Sequence, residues 1–332
     1  MSNVKISKPY LIVGQGVAGT VLAHHFLQAN IPFQIWDSPI HFNSSYAAGG
    51  IFNPVTGRKL EKTWLADELF DYLFPFYQQL ENTLGATFFY PMPLFRPFAN
   101  AEMKQWLLDR KSEINHDFLT WTDDGVWVKQ AGWVDVASLL RHSKNYFEKQ
   151  GFYAAKTFQE ADAMDFEGVI FCEGFHATQN SLWNKLPFLP AKGELIRFQS
   201  NEPSRDCILN KNGFILPLPD GAFKVGATYR WDEFTQTPTA SSREELIGKL
   251  TSMGVSNYEL LDTYVGIRPA TQDRRPFVGM LSGNNRGIFN GFGSKGVSLS
   301  PYFAHAFTQN ILGEKELQAD VSIHRYSHLF SV

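Results

Sequence analysis

Tyr10-Leu-Ile-Val-Gly14-Gln-Gly16-Val-Ala-Gly19 is the stretch on which the fold turns. Its first four residues are all apolar, the pattern of a parallel strand buried on both faces. Three glycines in GxGxxG spacing follow at once. Val17 to Asn30 reads as a helix with Val21, Leu22 and Phe26 on one side. Asn30 suits its C-terminal end, and Pro32 forbids continuation. Phe33-Gln-Ile-Trp36 makes a second strand, ending in Asp37.

Each glycine has a physical task in this setting. Gly14 permits the tight turn, Gly16 lets a pyrophosphate approach the backbone, and Gly19 allows close packing of helix on strand. Val17 and Ala18 open the helix, whose free N–H groups and positive dipole end face the phosphates. Asp37 lies 18 residues after Gly19, where a carboxylate accepts hydrogen bonds from a ribose hydroxyl. Strand, loop, helix, strand and acid in this order indicate an ADP-containing dinucleotide. The acid would repel the 2′-phosphate of NADP; it does not separate NAD from FAD.

The chain has 332 residues, enough for two lobes. With 44% hydrophobic and 19% charged residues it has the composition of an ordinary globular protein. The net charge is -3 and no run gathers Lys and Arg, so no nucleic-acid surface is indicated. Aromatics reach 15%; they suit either core packing or an aromatic-walled cavity. Cys172 and Cys207 lack CxxC spacing, which excludes a disulfide scaffold and a cysteine zinc site. His24 and His25 point about 100° apart on a helix and read as structural, so no metal is expected. The N-terminus has no signal-peptide pattern and no window approaches the ~18 apolar residues of a membrane helix. A cytoplasmic protein without membrane contact is expected.

Further along, Asn43-Ser-Ser-Tyr-Ala-Ala-Gly-Gly-Ile-Phe-Asn-Pro54, including Ser45, Gly49 and Gly50, suits a backbone held close to a flat ligand. Glu61 to Leu84 has a helical pattern that Pro75 should kink or divide. A helix is expected from Ala101 to Ser112, and another from Asp135, as N-cap, to Gln150. Gly168-Val-Ile-Phe-Cys-Glu-Gly174 repeats the buried-strand-then-glycine pattern and suggests a return to the dinucleotide domain. Residues 191–231 are rich in strand signals, with a turn at Pro219-Asp-Gly221. Ser242-Arg-Glu-Glu245 reads as a capping box opening a helix to about Met253. A final helix is expected from about Val297, with Pro301 in its first turn.

Several segments together resemble the D-amino acid oxidase-like FAD oxidoreductases, particularly glycine oxidases and the oxidase domain of a bacterial tRNA-modifying enzyme. The glycine loop is similar, with Asp37 where the family commonly has glutamate. Ala47-Ala-Gly-Gly-Ile51 resembles the small-residue segment beside the flavin, and Gly132-Trp-Val-Asp-Val136, with Val134, the opening of the central helix. Gly226-Ala-Thr228 resembles a substrate-domain strand. Gly266-Ile-Arg-Pro269 with Asp273 and Pro276 to Gly279 resembles the G-[LI]-R-P…D…P…G pattern. Asn290-Gly-Phe-Gly-Ser-Lys-Gly296 resembles the second flavin-contacting loop, with Gly291, Gly293, Ser294, Lys295 and Gly296 as its members.

The resemblance implies an α/β architecture: a Rossmann-type FAD-binding domain interleaved with a sheet-rich substrate domain. Residues 1–60, 132–190 and 264–332 would form the first, and 61–131 and 191–263 the second. It also implies FAD as cofactor and an amine or amino acid as substrate. A hydride would pass to flavin N5, the imine would then hydrolyse, and oxygen is the candidate electron acceptor. Arg268 would grip a substrate carboxylate; its structural alternative is an arginine pairing an acid across the lobes. Lys295, where glycine oxidases usually carry arginine, has three open roles: contacting substrate, stabilising reduced flavin, or facing solvent. Phe214 stands where those enzymes tend to place a tyrosine, which favours a substrate other than glycine. Tyr229 and Tyr264 are the alternative hydroxyls. Arg274 and Arg275 read as surface residues. A tRNA-modification oxidase and a non-catalytic dinucleotide-binding protein are the competing readings.

Overall fold

The computed structural model describes residues 6–114 and 116–330. Two large sheets organise them. The first runs in the order Tyr153–Ala154, Phe33–Trp36, Tyr10–Val13, Val169–Phe171, Arg286–Asn290, Phe277–Met280. All neighbours in it are parallel except the last pair. Its apolar strands follow from burial on both sides. Tyr10 and Ile12 join a core with Val21, Phe26, Leu139 and Phe303, whereas Leu11 and Val13 pack with Phe171, Trp183 and Ile288 on the other face. This is a Rossmann-type arrangement, and Val169–Phe171 enters it beside the first strand, Leu11 opposite Val169.

The second sheet has eight strands: Glu259–Arg268, Ala191–Gln199, Phe223–Gly226, Phe214–Pro217, Ile208–Asn210, Leu94–Pro97, Gly125–Val128 and Leu119–Trp121. Glu259–Arg268 pairs with Ala191–Gln199 from Glu259 opposite Gln199 to Arg268 opposite Ala191. A division of the chain between 263 and 264 would cut that strand, so the change of sheet falls after Arg268. A three-stranded sheet of Ile51–Phe52, Gly132–Val134 and Phe89–Pro91 is separate from both.

Four local expectations are corrected. Glu61–Lys62 is a strand, and the helix runs unbroken from Ala66 to Leu84 with Pro75 inside it. A proline inside a helix costs about 3 kcal/mol through the lost backbone bond and the clash of its ring. The helix buries Leu69, Phe70, Leu73, Phe76, Tyr77 and Leu80, each worth roughly 1.5–3 kcal/mol, and packing prevails. The 101–112 helix ends at Asp109, and a short turn of helix, Lys111–Ile114, follows. The Ala240–Ser252 helix is capped by Thr239, whose hydroxyl oxygen accepts from Ser242 N–H at 3.3 Å, not by Ser242 itself. Pro301 sits in the second turn of Gly296–Ile311. There Tyr77 Oη–H donates to Val297 O at 2.8 Å, satisfying the carbonyl that a proline at 301 leaves free.

His24 and His25 are buried and structural. His24 Nε2 meets Ser143 Oγ at 2.9 Å, and His25 bridges Val21 O and Tyr72 Oη. Burial pushes them down to about 3 and about 4 respectively.

Candidate functional site

The glycine loop is fixed by backbone packing. Gly14 has φ +100°, and its N–H donates to Trp36 O at 2.8 Å. A Cβ on Gly19 would stand 2.0 Å from Gly14 O, so only glycine lets the helix approach the strand this closely. Gly16 precedes the Val17–Gln28 helix, and no acid occupies its first turn. Val17 N–H donates to Ser45 Oγ at 3.2 Å, which ties the 43–50 segment to the loop. Asp37 Oδ1 accepts from Gln15 N–H at 2.9 Å. Burial raises the Asp37 carboxyl above its usual range, against the lowering effect of that N–H and of Lys144.

A cavity of about 690 Å³ runs from this loop to the second sheet, a volume in the range of cofactor and ligand sites. Gly14, Gly16, Val17, Ala18 and Asp37 line one end; Ser45, Gly49, Gly50, Gly174, Gly293, Ser294, Lys295 and Gly296 continue it; Arg268 stands at the other end. Three residues expected on the wall act from behind it instead. Gly19 packs under Gly14. Val134 N–H donates to Gly50 O at 3.0 Å, and a Cβ on Gly50 would fall 1.9 Å from Val134 O. Gly291 lies against Thr271 and Phe277.

The sequence reading missed Glu173, which lines the cavity directly after the Val169–Phe171 strand. Burial pushes its carboxyl up to about 7, although Asn180 Nδ2 donates to it at 2.9 Å. The signal was present: an acid between a buried strand and Gly174 has little room to reach water. His41 and His176, also on the wall, stack with ring centroids 4.2 Å apart.

At the far end Arg268 lies flat on Gly193, where any Cβ would meet its guanidinium at 2.2 Å. Nη1 donates to Thr228 O at 3.2 Å, and the ring of Tyr229 lies 4.1 Å from the guanidinium carbon. Among the described residues no carboxylate forms an ion pair with it, so the cross-lobe salt bridge is not formed. Phe214 lines the same end and packs on Gly49. Tyr264 does not reach this cavity; it lines a second cleft with Lys224 and Arg197. Lys295 Nζ donates to Thr63 Oγ1, and burial, then Arg274 and Arg275, hold its ammonium below the ordinary lysine range. Arg274 is exposed, but Arg275 is half-buried with its guanidinium 3.9 Å from the Trp64 ring centroid.

Among the described residues no helix is long and apolar enough to cross a membrane, and no group of three or more His, Cys, Asp or Glu could hold a metal. The family model for FAD dependent oxidoreductase matches residues 10–310. The glycine oxidase of Bacillus subtilis (strain 168) is 27% identical over 137 residues, 40% of this chain and 37% of that enzyme. The chain therefore spans little more than a third of the length of that curated relative. Iminodiacetate oxidase from Chelativorans sp. BNC1 superposes with TM-score 0.76 at 20% identity, covering 96% of this chain and 98% of that one. The glycine oxidase from Geobacillus kaustophilus gives 0.77 at 17%, covering 96% and 99%; both are likenesses of fold. The residues present fit the cofactor that the family description names. Two glycine segments distant in sequence line one cavity, Gly14 with Gly16 to Ala18 and Gly293 to Gly296, and the Asp37 carboxylate lines it too.

Proposed function

The chain belongs to the FAD dependent oxidoreductases, and we propose that it oxidises a small amine or amino acid bearing a carboxylate. The observation that supports this best is Arg268: a guanidinium that pairs with no carboxylate among the described residues, lying in the cavity against Gly193. FAD, when bound, would supply a hydride acceptor for the carbon beside the substrate nitrogen, and the iminium so formed would be hydrolysed by water.

The chain's own residues orient and set the field. In this reading Gly14, Gly16, Val17 and Ala18 hold the pyrophosphate, and Asp37 the ribose. Ser45, Gly49, Gly50, Gly174 and Gly293 to Gly296 hold the remainder of the cofactor. Arg268 takes the substrate carboxylate in a two-point grip, which fixes where the reacting carbon lies. Ile51, Leu195 and Phe214 on the wall exclude water and strengthen that pair. Lys295 and the first turn of the Gly296–Ile311 helix add positive potential, and the Thr63 hydroxyl holds the ammonium in place.

The test is Arg268→Ala. Its FAD content should stay unchanged, while kcat/KM for carboxylated amines should fall roughly 100- to 1000-fold, as expected for loss of a buried charge-assisted pair. An unchanged kcat/KM would remove Arg268 from the site and leave the carboxylate without its recognition element.

A further inference from the structure

The segment after the Phe223–Gly226 strand exposes more aromatic surface than a connecting loop requires. Tyr229 is 43% exposed, Trp231 59% and Phe234 37%, three of the nine large hydrophobic side chains so exposed among the described residues. All three fall within six positions, and the first of them, Tyr229, lines the cavity. Tyr229 lies against the Arg268 guanidinium; Trp231 stacks on Tyr229 with centroids 6.0 Å apart and planes at 27°. Phe234 packs on Phe175, a cavity-wall residue, at 5.5 Å. The rings thus lead from the half-buried Arg268 out to solvent.

This segment is anchored, not loose. Lys192 is wholly buried, and its Nζ donates to Glu233 Oε1, Thr235 Oγ1 and Thr237 O at 2.8, 2.8 and 2.9 Å. Glu194, equally buried, lies 3.5 Å from that ammonium and accepts from Thr239 N–H and Oγ1–H. Arg230 pairs with Lys192 backbone to backbone, and its side chain binds Glu245 at 2.7 Å. Exposed rings held this firmly present a fixed face. Burial in this chain's own core does not account for Trp231.

We propose that Tyr229 and Trp231 form a stacking platform that selects carboxylated amines carrying a planar aromatic or heteroaromatic ring. The inference rests on Arg268 holding the carboxylate. From that point a substrate extends along Tyr229 towards Trp231, and a flat ring there gains face contact where a saturated ring of similar volume does not.

The experiment measures anaerobic flavin reduction by the holoenzyme with matched probes: N-benzylglycine against N-(cyclohexylmethyl)glycine, and phenylalanine against cyclohexylalanine. The aromatic member should be favoured in kcat/KM about tenfold in the wild type. Trp231→Ala should reduce the preference to within about twofold, and Trp231→Phe should restore it. Trp231 is an exposed side chain, so its loss spares the core. Equal rates for the matched probes, or a preference that survives Trp231→Ala, overturns the platform. Reduction by N-methylglycine but by no ring-bearing probe overturns it too, while leaving the amine reading intact. If no amine reduces the flavin, the amine reading falls and takes the platform with it.

Discussion

The two ends of the cavity are built from different materials. At the glycine-loop end, proposed to take the nucleotide, the backbone does the shaping: Gly14 in the positive-φ region, Gly19 with no room for a Cβ, and Gln15 N–H on Asp37. At the substrate end side chains do it: Arg268 against Tyr229, Phe214 on Gly49, and an anchored loop carrying Trp231. Backbone constraints tolerate few residue types, whereas a wall of side chains can change its specificity one residue at a time. The first end is therefore expected to be unforgiving and the second tunable.

The largest effect should come from breaking the backbone end. Gly19→Val places side-chain atoms beyond a Cβ that already stands 2.0 Å from Gly14 O. FAD affinity should drop more than roughly 100-fold, or the protein should fail to fold, as for other severe steric insertions. Isolation of a fully yellow, stable variant would show that the loop has slack. Arg268→Ala comes next, with FAD retained and turnover of carboxylated amines lost. That separation of cofactor from substrate is the comparison in its sharpest form.

Glu173 lies beside the glycine loop, its Cα 3.4 Å from where a Cβ on Gly14 would stand, and gives an intermediate effect. Its carboxyl titrates near 7 in the folded protein against an ordinary value of 4.5. Between those values the folded chain holds a proton that the unfolded chain has released. Stability of the cofactor-free protein should therefore fall as pH rises from 4.5 to about 7. Glu173→Gln should flatten that slope by on the order of 1–3 kcal/mol, read from denaturant midpoints across the window. A slope unchanged in the variant would assign it to other groups.

The smallest effect is a gain. Phe214→Tyr adds a hydroxyl at the substrate end, and a net hydrogen bond of ~0.5–1.5 kcal/mol should raise kcat/KM for glycine about two- to tenfold. No change would mean that the hydroxyl points away from the substrate.

The nucleotide end was legible because its geometry demands glycine at fixed spacing and an acid after the second strand. The helix start at Asp135 was equally plain, since its side-chain cap is local, and the last helix begins at Gly296, one residue before the expected Val297. What escaped was set by partners far away in the chain. Pro75 continues its helix because six apolar side chains find a core. Pro301 is supported by Tyr77 from another helix. Thr239 rather than Ser242 opens its helix because buried Glu194 receives its N–H and hydroxyl. Glu173 is raised only because Val169–Phe171 lands beside the first strand. Tyr264 was expected as an alternative hydroxyl, but it sits further along its strand from Arg268, over a different cleft.

The most direct test of the account is anaerobic titration of the FAD-loaded protein with a panel of amines, with and without a carboxylate, followed by flavin absorbance. Carboxylated amines should bleach the flavin, and Arg268→Ala should slow bleaching roughly 100- to 1000-fold without releasing FAD. Flavin that stays oxidised against every amine, or bleaching indifferent to the carboxylate, would contradict it.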